Sequence, residues 1–533
     1  MWPEHMTSIL SLSKYSCRPC MLPSLSSVAS VVLAVKRSIP FWLLVLLCSL
    51  CQGRFDASEV LSKRNERTAA KSEECRDIDK PCANNVEVIK QCYDLNADHY
   101  RVTDLSCRYY FAMIDAGSTG TRMHVLEFVP SSTPETGTLF KVSNEVFYEV
   151  KPGLSSFADD PKKAAQSLLP LLKLSQSTVP ESHWEYTPIA LLATGGLRLL
   201  SEDTVEAILN EVRKIFRSET RFVIDDKSVA VMDGINEGLY AWFTLNYLLD
   251  KLQEAPSKSP KPETAVALDL GGASTQITFL PRRPETLRNA PSEFKHTFVL
   301  NENITMNLYS RSYLRNGLIE ARLHALLNHP KSNGASLYSP CFPGDYTLEW
   351  NYEGTRVVRG EESYGFDACR EQVSHFVNLS NFNIPAELND REIYGFSYYY
   401  ERPAQCSVIE GSGSLTSVDD IRSAAVKACK RRSSELGPEH WRPWQCFDLT
   451  YIHSLLSDGY GLMPSKHIYL AKKLAGHTEV SWALGASYNM LMRHLDNLRL
   501  RRYSHWTLDF GYYVCNRLYN SLSPILSLFN IFA

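Results

Sequence analysis

A surplus of basic charge is missing from this chain. Its 56 Lys and Arg stand against 59 Asp and Glu, a formal net charge of -3, so there is no electrostatic footprint for nucleic acid. Any nucleotide it binds is therefore expected as a small molecule, with no nucleic-acid partner. Also missing is the paired short-spacing cysteine array of a zinc site. Cys17/Cys20 and Cys48/Cys51 have metal or redox spacing, but both pairs lie in a leader-like amino terminus. The apolar run Ile39 to Leu50, behind Lys36 and Arg37, falls short of the roughly 20 apolar residues that span a bilayer. It reads as a signal peptide or a short signal anchor, cleavage being open, and membrane attachment is expected there if anywhere. The apolar tail after Leu498 is broken by Arg517, Asn520 and Pro524, which argues against a carboxy-terminal span.

What is present is a chain of 533 residues, 44% hydrophobic and 22% charged, enough for two domains with sizeable cores. Its 14 cysteines cluster in a way that fits disulfides, hence an oxidising compartment. The sequons Asn303-Ile304-Thr305 and Asn378-Leu379-Ser380 agree with lumenal exposure. A polar, cysteine-containing stem is expected over residues 54–106, after a signal segment over 1–53. Loops are expected at Glu254 to Glu263 and at the Gly/Ser-rich stretch Glu410 to Val418. Strand-like Ile189 to Ala193 precedes helix-like Glu202 to Phe216, an interleaving that predicts an α/β protein.

The most informative feature is an internal echo. Phe111-Ala-Met-Ile-Asp115-Ala-Gly117-Ser-Thr-Gly-Thr121-Arg122 and Ala265-Val-Ala-Leu-Asp269-Leu-Gly271-Gly-Ala-Ser-Thr275-Gln276 are both apolar strands ending in Asp-x-Gly, with Thr at the same offset. A single copy, taken alone, would read as an ordinary hairpin turn. Two copies at matched offsets need more, because a turn demands Gly but not the same downstream Thr. Glycine lets backbone approach a phosphate, and successive N–H groups with hydroxyls form an anion-binding concavity. Two facing aspartates would then hold a hard divalent cation largely through its water shell.

The echo resembles the actin-like ATPase superfold, and its wording is similar to that of the apyrases, the nucleoside triphosphate diphosphohydrolases. Ala193-Thr194-Gly195-Gly196-Leu197-Arg198, Asp233-Gly234-Ile-Asn-Glu237-Gly238 and Ser481-Trp482-Ala483-Leu484-Gly485-Ala486 match in family order, so the resemblance runs from about Tyr109 to Leu495. It implies two RNase-H-like lobes with the active site in the cleft between them: residues 107–232 with 474–498, and residues 233–473, before a tail over 499–533. Thr194-Gly195-Gly196 departs from the family's usual Thr-Ala-Gly, a change that bears on loop rigidity more than on chemistry. The stretches Lys151-Pro-Gly-Leu-Ser-Ser and Tyr394-Gly-Phe-Ser-Tyr-Tyr-Tyr look most like the soluble or single-anchor branch, known for hydrolysing UDP and GDP in the secretory lumen. Disulfides Cys341 with Cys369 and Cys429 with Cys446 are likewise implied by the resemblance alone.

Carried onto these residues, Glu237 is the expected general base, with Ser274 and Gln276 positioning the attacking water and Thr194 completing the pocket. Without the signature, Glu237 would read as a helix-start glutamate favoured by the macrodipole. Asp115 and Asp269 are assigned to Ca²⁺ or Mg²⁺, and Ser118, Thr119, Gly120, Thr121, Gly271, Gly272 and Ala273 to phosphate. Arg122 and Arg198 read equally as phosphate ligands or structural clamps. Tyr398, in the Tyr398 to Tyr400 cluster, is the candidate nucleobase contact, an aromatic strand facing a core being the alternative. Trp482 is expected behind the metal site. The substrate is expected to be a nucleoside di- or triphosphate; the alternatives are an extracellular ATP/ADP apyrase, a kinase or chaperone of the superfold, and a non-catalytic nucleotide-binding protein.

Overall fold

The apolar stretch before Asp115 becomes the centre of a sheet. In the computed structural model, residues 92–93, 107–131, 138–252, 263–300, 304–476 and 478–498 are described, all within one compact unit, Asp77–Arg499. The signal segment, nearly all of the stem, the Asn303 sequon and the tail lie outside them. Strand β1 (Tyr109–Ala116) is buried along its whole length, the mark of a central strand covered on both faces. With β2 (Thr121–Pro130), β3 (Phe140–Val150), β4 (Ile189–Ala193) and β5 (Val229–Val231) it forms a sheet ordered β3-β2-β1-β4-β5. β1 runs antiparallel to β2 and parallel to β4.

A second sheet repeats that plan. β6 (Val266–Leu270), β7 (Ser274–Phe279), β8 (Lys295–Val299) and β9 (Thr305–Leu314) precede a small sheet of β10 (Ser336–Pro343), β11 (Thr347–Asn351) and β12 (Thr355–Glu361); β13 (Ile393–Ser397), β14 (Gly413–Ser417) and β15 (His467–Ala471) then complete the order β14-β15-β13-β6-β7-β9-β8. Stripped of its edge strands β8 and β14, this is the first sheet again, with β6 antiparallel to β7 and parallel to β13. The Gly/Ser-rich stretch expected as a loop thus contains strand β14. It pairs on one side only, with β15, and an edge strand tolerates residues of weak strand propensity.

Helices cover the sheets. α1 (Gly195–Arg198) and α2 (Glu202–Glu219) follow β4. Ser201 caps α2 by accepting the Thr204 N–H, and Ile208, Leu209, Val212 and Phe216 bury one stripe, each burial contributing roughly 1.5–3 kcal/mol. α3 (Gly234–Leu248) begins where Asp233 accepts the N–H groups of Ile235 and Asn236. The helix is largely buried from Glu237 to Asn246. It packs against β6, β7 and β9, while the helix over 482–498 packs against it, Thr244 Oγ1 accepting the Gly485 N–H at 2.9 Å.

α4 (Leu318–Leu327), α5 (Phe366–Leu379), α6 (Tyr398–Gln405), α7 (Val418–Ala428) and α8 (Gln445–Ser454) belong to the second half. There the Cys341–Cys369 and Cys429–Cys446 disulfides form as the resemblance implied. A third, Cys92–Cys107, ties residues placed in the stem onto β1, whose Tyr109 hydroxyl donates to the Cys92 carbonyl at 2.9 Å. Packed structure therefore reaches back to Cys92, since a disulfide and a ring stack of Tyr93 on Tyr186 fix it there. Asn378, in the second sequon, is exposed.

Candidate active site

The two echoed hairpins have the same register. Asp115 pairs with Arg122 and Ala116 with Thr121; Asp269 pairs with Gln276 and Leu270 with Thr275. The repeated threonines are fully buried, and Thr275 Oγ1 closes its hairpin by donating to the Asp269 carbonyl at 2.7 Å. Thr275 therefore serves hairpin geometry, while Thr121 Oγ1 is buried without a hydrogen-bond partner.

Both turns open at the carboxyl end of a central strand, the usual ligand end of an open α/β sheet, and they meet. A Cβ on Gly272 would lie 2.2 Å from Ser118 Oγ, so a side chain there would push the Ser118 hydroxyl from its place. The start of α4 fixes the second turn: Leu318 donates its N–H to the Gly271 carbonyl and Ile319 to that of Gly272, both at 2.9 Å. Gly195 and Gly196 wedge between the turns. A Cβ on Gly195 would stand 2.7 Å from that of Ala273, so the missing methyl of Thr194-Gly195-Gly196 governs how closely α1 seats on the second turn.

One cleft is lined by Asp115, Gly117, Ser118, Thr119, Arg122, Thr194, Glu237, Asp269, Gly271, Gly272, Ala273, Ser274, Tyr398 and Trp482, which brings most expected residues together. Gly120 and Thr121, also expected in the phosphate set, do not line the wall. Gly120 faces Glu149, whose Oε1 lies 2.6 Å from where its Cβ would be, and Thr121 is buried as the first residue of β2. Gln276 and Arg198 stand just behind the wall. Gln276 Nε2 donates to Ser274 Oγ at 2.9 Å and to Glu237 Oε2 at 3.2 Å, and Arg198 Nη2 donates to Glu237 Oε2. Arg122 is held between Asp115 Oδ2 at 3.4 Å and Glu149 Oε1 at 3.0 Å. Both arginines are thus engaged by carboxylates.

Burial dominates the electrostatics. It raises the Glu237 carboxyl above its ordinary value, an effect Arg198 opposes and Asp115 adds to. Burial and then the charge of Glu237 lift Asp269 to about 7, and burial raises Asp115 against the pull of Arg122 and His124. Three buried carboxylates disfavour being charged together unless a cation joins them. The donor set fits one: Asp115 Oδ1 and Asp269 Oδ1 are buried and without a hydrogen-bond partner, and a hard divalent ion takes oxygen ligands.

The tyrosine cluster is not the aromatic strand weighed as the alternative. Tyr398 to Tyr400 open helix α6, because Ser397 turns the chain with φ of 58°, a conformation that costs a non-glycine residue free energy and recurs at functional sites. Tyr399 is buried, whereas the Tyr398 hydroxyl donates to Thr119 Oγ1 at 3.4 Å and the Arg402 guanidinium lies 4.6 Å from the Tyr398 ring. Residues the sequence reading missed also line the cleft: His124, Ser397, Tyr400, Lys472 and Glu479. Only His124 left a signal, since it lies two residues beyond Arg122 and shares its face of β2.

A duplicated sheet plan with facing Asp-x-Gly turns and a buried glutamate between them defines the actin-like fold with a nucleotide-hydrolase site. The fold is shared with a solved structure of nucleoside triphosphate hydrolases from Neospora caninum, at TM-score 0.53 and 14% identity over 73% of this chain and 93% of that one. The chain belongs to the GDA1/CD39 (nucleoside phosphatase) family, whose model matches residues 101–501. It is 39% identical over 389 residues, 72% of this chain and 87% of the relative, to "Ectonucleoside triphosphate diphosphohydrolase 5" of Bos taurus. It is also 38% identical over 416 residues, 76% of this chain and 86% of the relative, to "Nucleoside-diphosphatase uda-1" of Caenorhabditis elegans, and 39% identical over 388 residues, 72% and 87%, to "Nucleoside diphosphate phosphatase ENTPD5" of Homo sapiens. The enzyme is therefore a nucleoside phosphate hydrolase. No described helix is long and apolar enough to cross a membrane.

The Arg198 contact carries a pH prediction. A general base must be deprotonated, so activity falls on the acid side as pH drops through the Glu237 pKa. Arg198 holds that value down against burial; Arg198→Met should move the acid limb of kcat/KM to higher pH. Profiles of the two enzymes between pH 5 and 9 check it, and an unshifted limb would remove Arg198 from this role.

Proposed function

We propose that this enzyme hydrolyses the terminal phosphate of nucleoside diphosphates, UDP and GDP foremost, with triphosphates as secondary substrates. The observation that carries the reading is the buried Glu237 carboxylate, held by Arg198 and Gln276 beside Ser274 and facing two partnerless aspartate oxygens. Glu237 takes the proton of a water that Ser274 Oγ and the Gln276 amide hold in line with the terminal phosphorus. Backbone N–H groups and hydroxyls of Ser118, Thr119, Gly271, Gly272 and Ala273 bind phosphate oxygens, and Thr194 closes the pocket around the transferred group. Asp115 and Asp269 would hold Ca²⁺ or Mg²⁺ through its water shell, a cation that would supply positive charge against the phosphates. Arg122 keeps Asp115 in place. Tyr398, with Arg402 covering part of its ring, offers the remaining surface to the base. The two sheet-centred halves, residues 107–232 with 474–498 and residues 233–473, act as lobes around this cleft.

Diphosphate preference is supported by the activities named for two relatives and by the likeness of Lys151 to Ser156 and Tyr394 to Tyr400 to the soluble branch. The three disulfides support an oxidising setting, and the proposed location is the Golgi or endoplasmic reticulum lumen, lumen-facing or secreted. There, UDP and GDP released by glycosyl transfer would be the substrate. A tenfold preference needs only about 1.4 kcal/mol of differential transition-state binding. Initial rates with UDP, GDP, ADP, UTP and ATP test it: UDP or GDP should give the highest kcat/KM, and ATP or ADP in first place would favour an extracellular purinergic enzyme.

A further inference from the structure

Behind Asp115 sits a polar group that the catalytic assignment does not use. His124 is 1% exposed, and its Nδ1 lies 2.7 Å from Glu145 Oε1 on the neighbouring strand β3. Glu145 is itself fixed, because its Oε2 accepts the backbone N–H of Glu479 at 2.8 Å. The ring packs edge-on against Phe147, centroids 5.2 Å apart. One strand, a second strand and the turn before the 482–498 helix thus hold the imidazole in a single orientation. At its other end His124 Nε2 is buried without a hydrogen-bond partner, and so is Glu479 Oε2. Both residues line the same cleft as Asp115 and Asp269.

Partnerless buried polar atoms are rare in folded proteins and call for an explanation. Here five gather around one cleft: Asp115 Oδ1, Asp269 Oδ1, Gln276 Oε1, His124 Nε2 and Glu479 Oε2. The four oxygens can accept, and so can Nε2 of a neutral imidazole. Burial lowers the His124 pKa, but the hydrogen bond and charge of Glu145, with Glu479 and Asp115, raise it on balance. Nε2 therefore becomes an acceptor once a cation takes up the negative charge of those carboxylates. Water bound to a divalent cation is a donor, so a cation held mainly through its water shell needs a surrounding set of acceptors. An imidazole whose Nδ1–H is given to a carboxylate presents its Nε2 lone pair at the opposite end, and the carboxylate fixes that tautomer.

Resting on the cation dependence proposed above, we infer that His124, oriented by Glu145, and Glu479 are positioning residues that accept hydrogen bonds from the water shell of the divalent cation. They extend the cation site on the β2 side beyond the two aspartates. The cation then sits between both Asp-x-Gly turns and this third wall, which fixes where its waters point.

The test is cation binding itself. Mn²⁺ titrated into the full-length protein, with a non-hydrolysable diphosphate analogue present, can be followed by the electron-spin-resonance signal of the free ion. His124→Phe keeps ring volume and the Phe147 contact while removing both nitrogens. Its cation dissociation constant should rise about 10- to 100-fold, the usual cost of removing an outer-shell partner, and the Mn²⁺ needed for half-maximal turnover should rise with it. His124→Gln, which restores an acceptor oxygen, should recover part of that affinity. Glu479→Leu approaches from the opposite wall and should weaken cation binding in the same way, so the inference stays testable if one variant fails to fold. Wild-type Mn²⁺ affinity in folded His124→Phe and Glu479→Leu overturns it. If Asp115→Asn weakens binding while those two do not, this inference falls and the proposed function stands; if the wild-type enzyme binds no cation, both fall.

Discussion

Glu237→Gln should reduce kcat by about 10² to 10⁴, the usual contribution of a positioned base, with KM for the diphosphate nearly unchanged. The amide keeps the shape of the carboxylate and one acceptor oxygen, so the donors now aimed at Oε2, from Arg198 and Gln276, keep a partner. What is lost is the ability to take a proton, and that matters only as the water attacks. An interaction made only in the transition state lowers kcat and kcat/KM together. Folding should survive: the carboxylate is buried at a free-energy cost that already raises its pKa, so neutralising it offsets part of the lost ion pair. Single-turnover rates, KM and thermal melts on the purified variant check all three statements. Half of the wild-type rate would remove Glu237 from the role of base. Glu237→Asp separates charge from reach, since it can still accept a proton but withdraws it by one methylene, and a misplacement of about 1 Å can cost on the order of 10²-fold.

Much of this site was legible before any coordinates because its chemistry is carried by local pattern. An apolar strand, Asp-x-Gly and a small hydroxylated turn occupy a dozen residues, and repeating them at fixed offsets specified two matched hairpins, found as β1–β2 and β6–β7. Glu237 was readable for the same reason, with its cap Asp233 and Gly238 beside it in sequence. Gly120 and Thr121 fall outside the cleft wall because an offset says which residues make a turn and not which way each one faces. Thr121 spends its side chain inside the sheet. The strand alternative for the tyrosine cluster failed because the strand at Ile393–Ser397 gives way to helix at a single residue, Ser397, whose positive φ no propensity announces. His124, Glu145 and Glu479 come from three separate segments, and only tertiary packing brings them beside Asp115. Their partnership across 21 and 334 residues of chain has no local signature.

Removal of either aspartate should mimic removal of the cation. Asp115→Asn and Asp269→Asn keep side-chain volume but replace a carboxylate oxygen, now buried and partnerless, with half an amide. A bound divalent ion supplies several kcal/mol of transition-state stabilisation, and about 4 kcal/mol corresponds to roughly a thousandfold in rate, so each variant should fall near the activity of the chelated wild-type enzyme. The fold should hold in both. Arg122 loses only one of its two carboxylate partners in Asp115→Asn, because Glu149 Oε1 remains at 3.0 Å. In Asp269→Asn a carboxyl whose pKa is raised to about 7 is replaced by a neutral group. That group's folded-state pKa exceeds the ordinary carboxylate value, so in the metal-free protein its charged form costs stability as pH rises through about 7, and the neutral amide should remove that cost. Metal-free Asp269→Asn should consequently melt at or above the temperature of the metal-free wild type at pH 8, and the addition of Ca²⁺ should raise the melting temperature of the wild type much more than that of the variant. Activity assays with excess chelator, calcium titrations and melts at pH 6 and pH 8 measure each part. Full turnover in excess chelator, or a calcium-induced rise in melting temperature undiminished in both variants, would exclude the two Asp-x-Gly turns as the cation's holders.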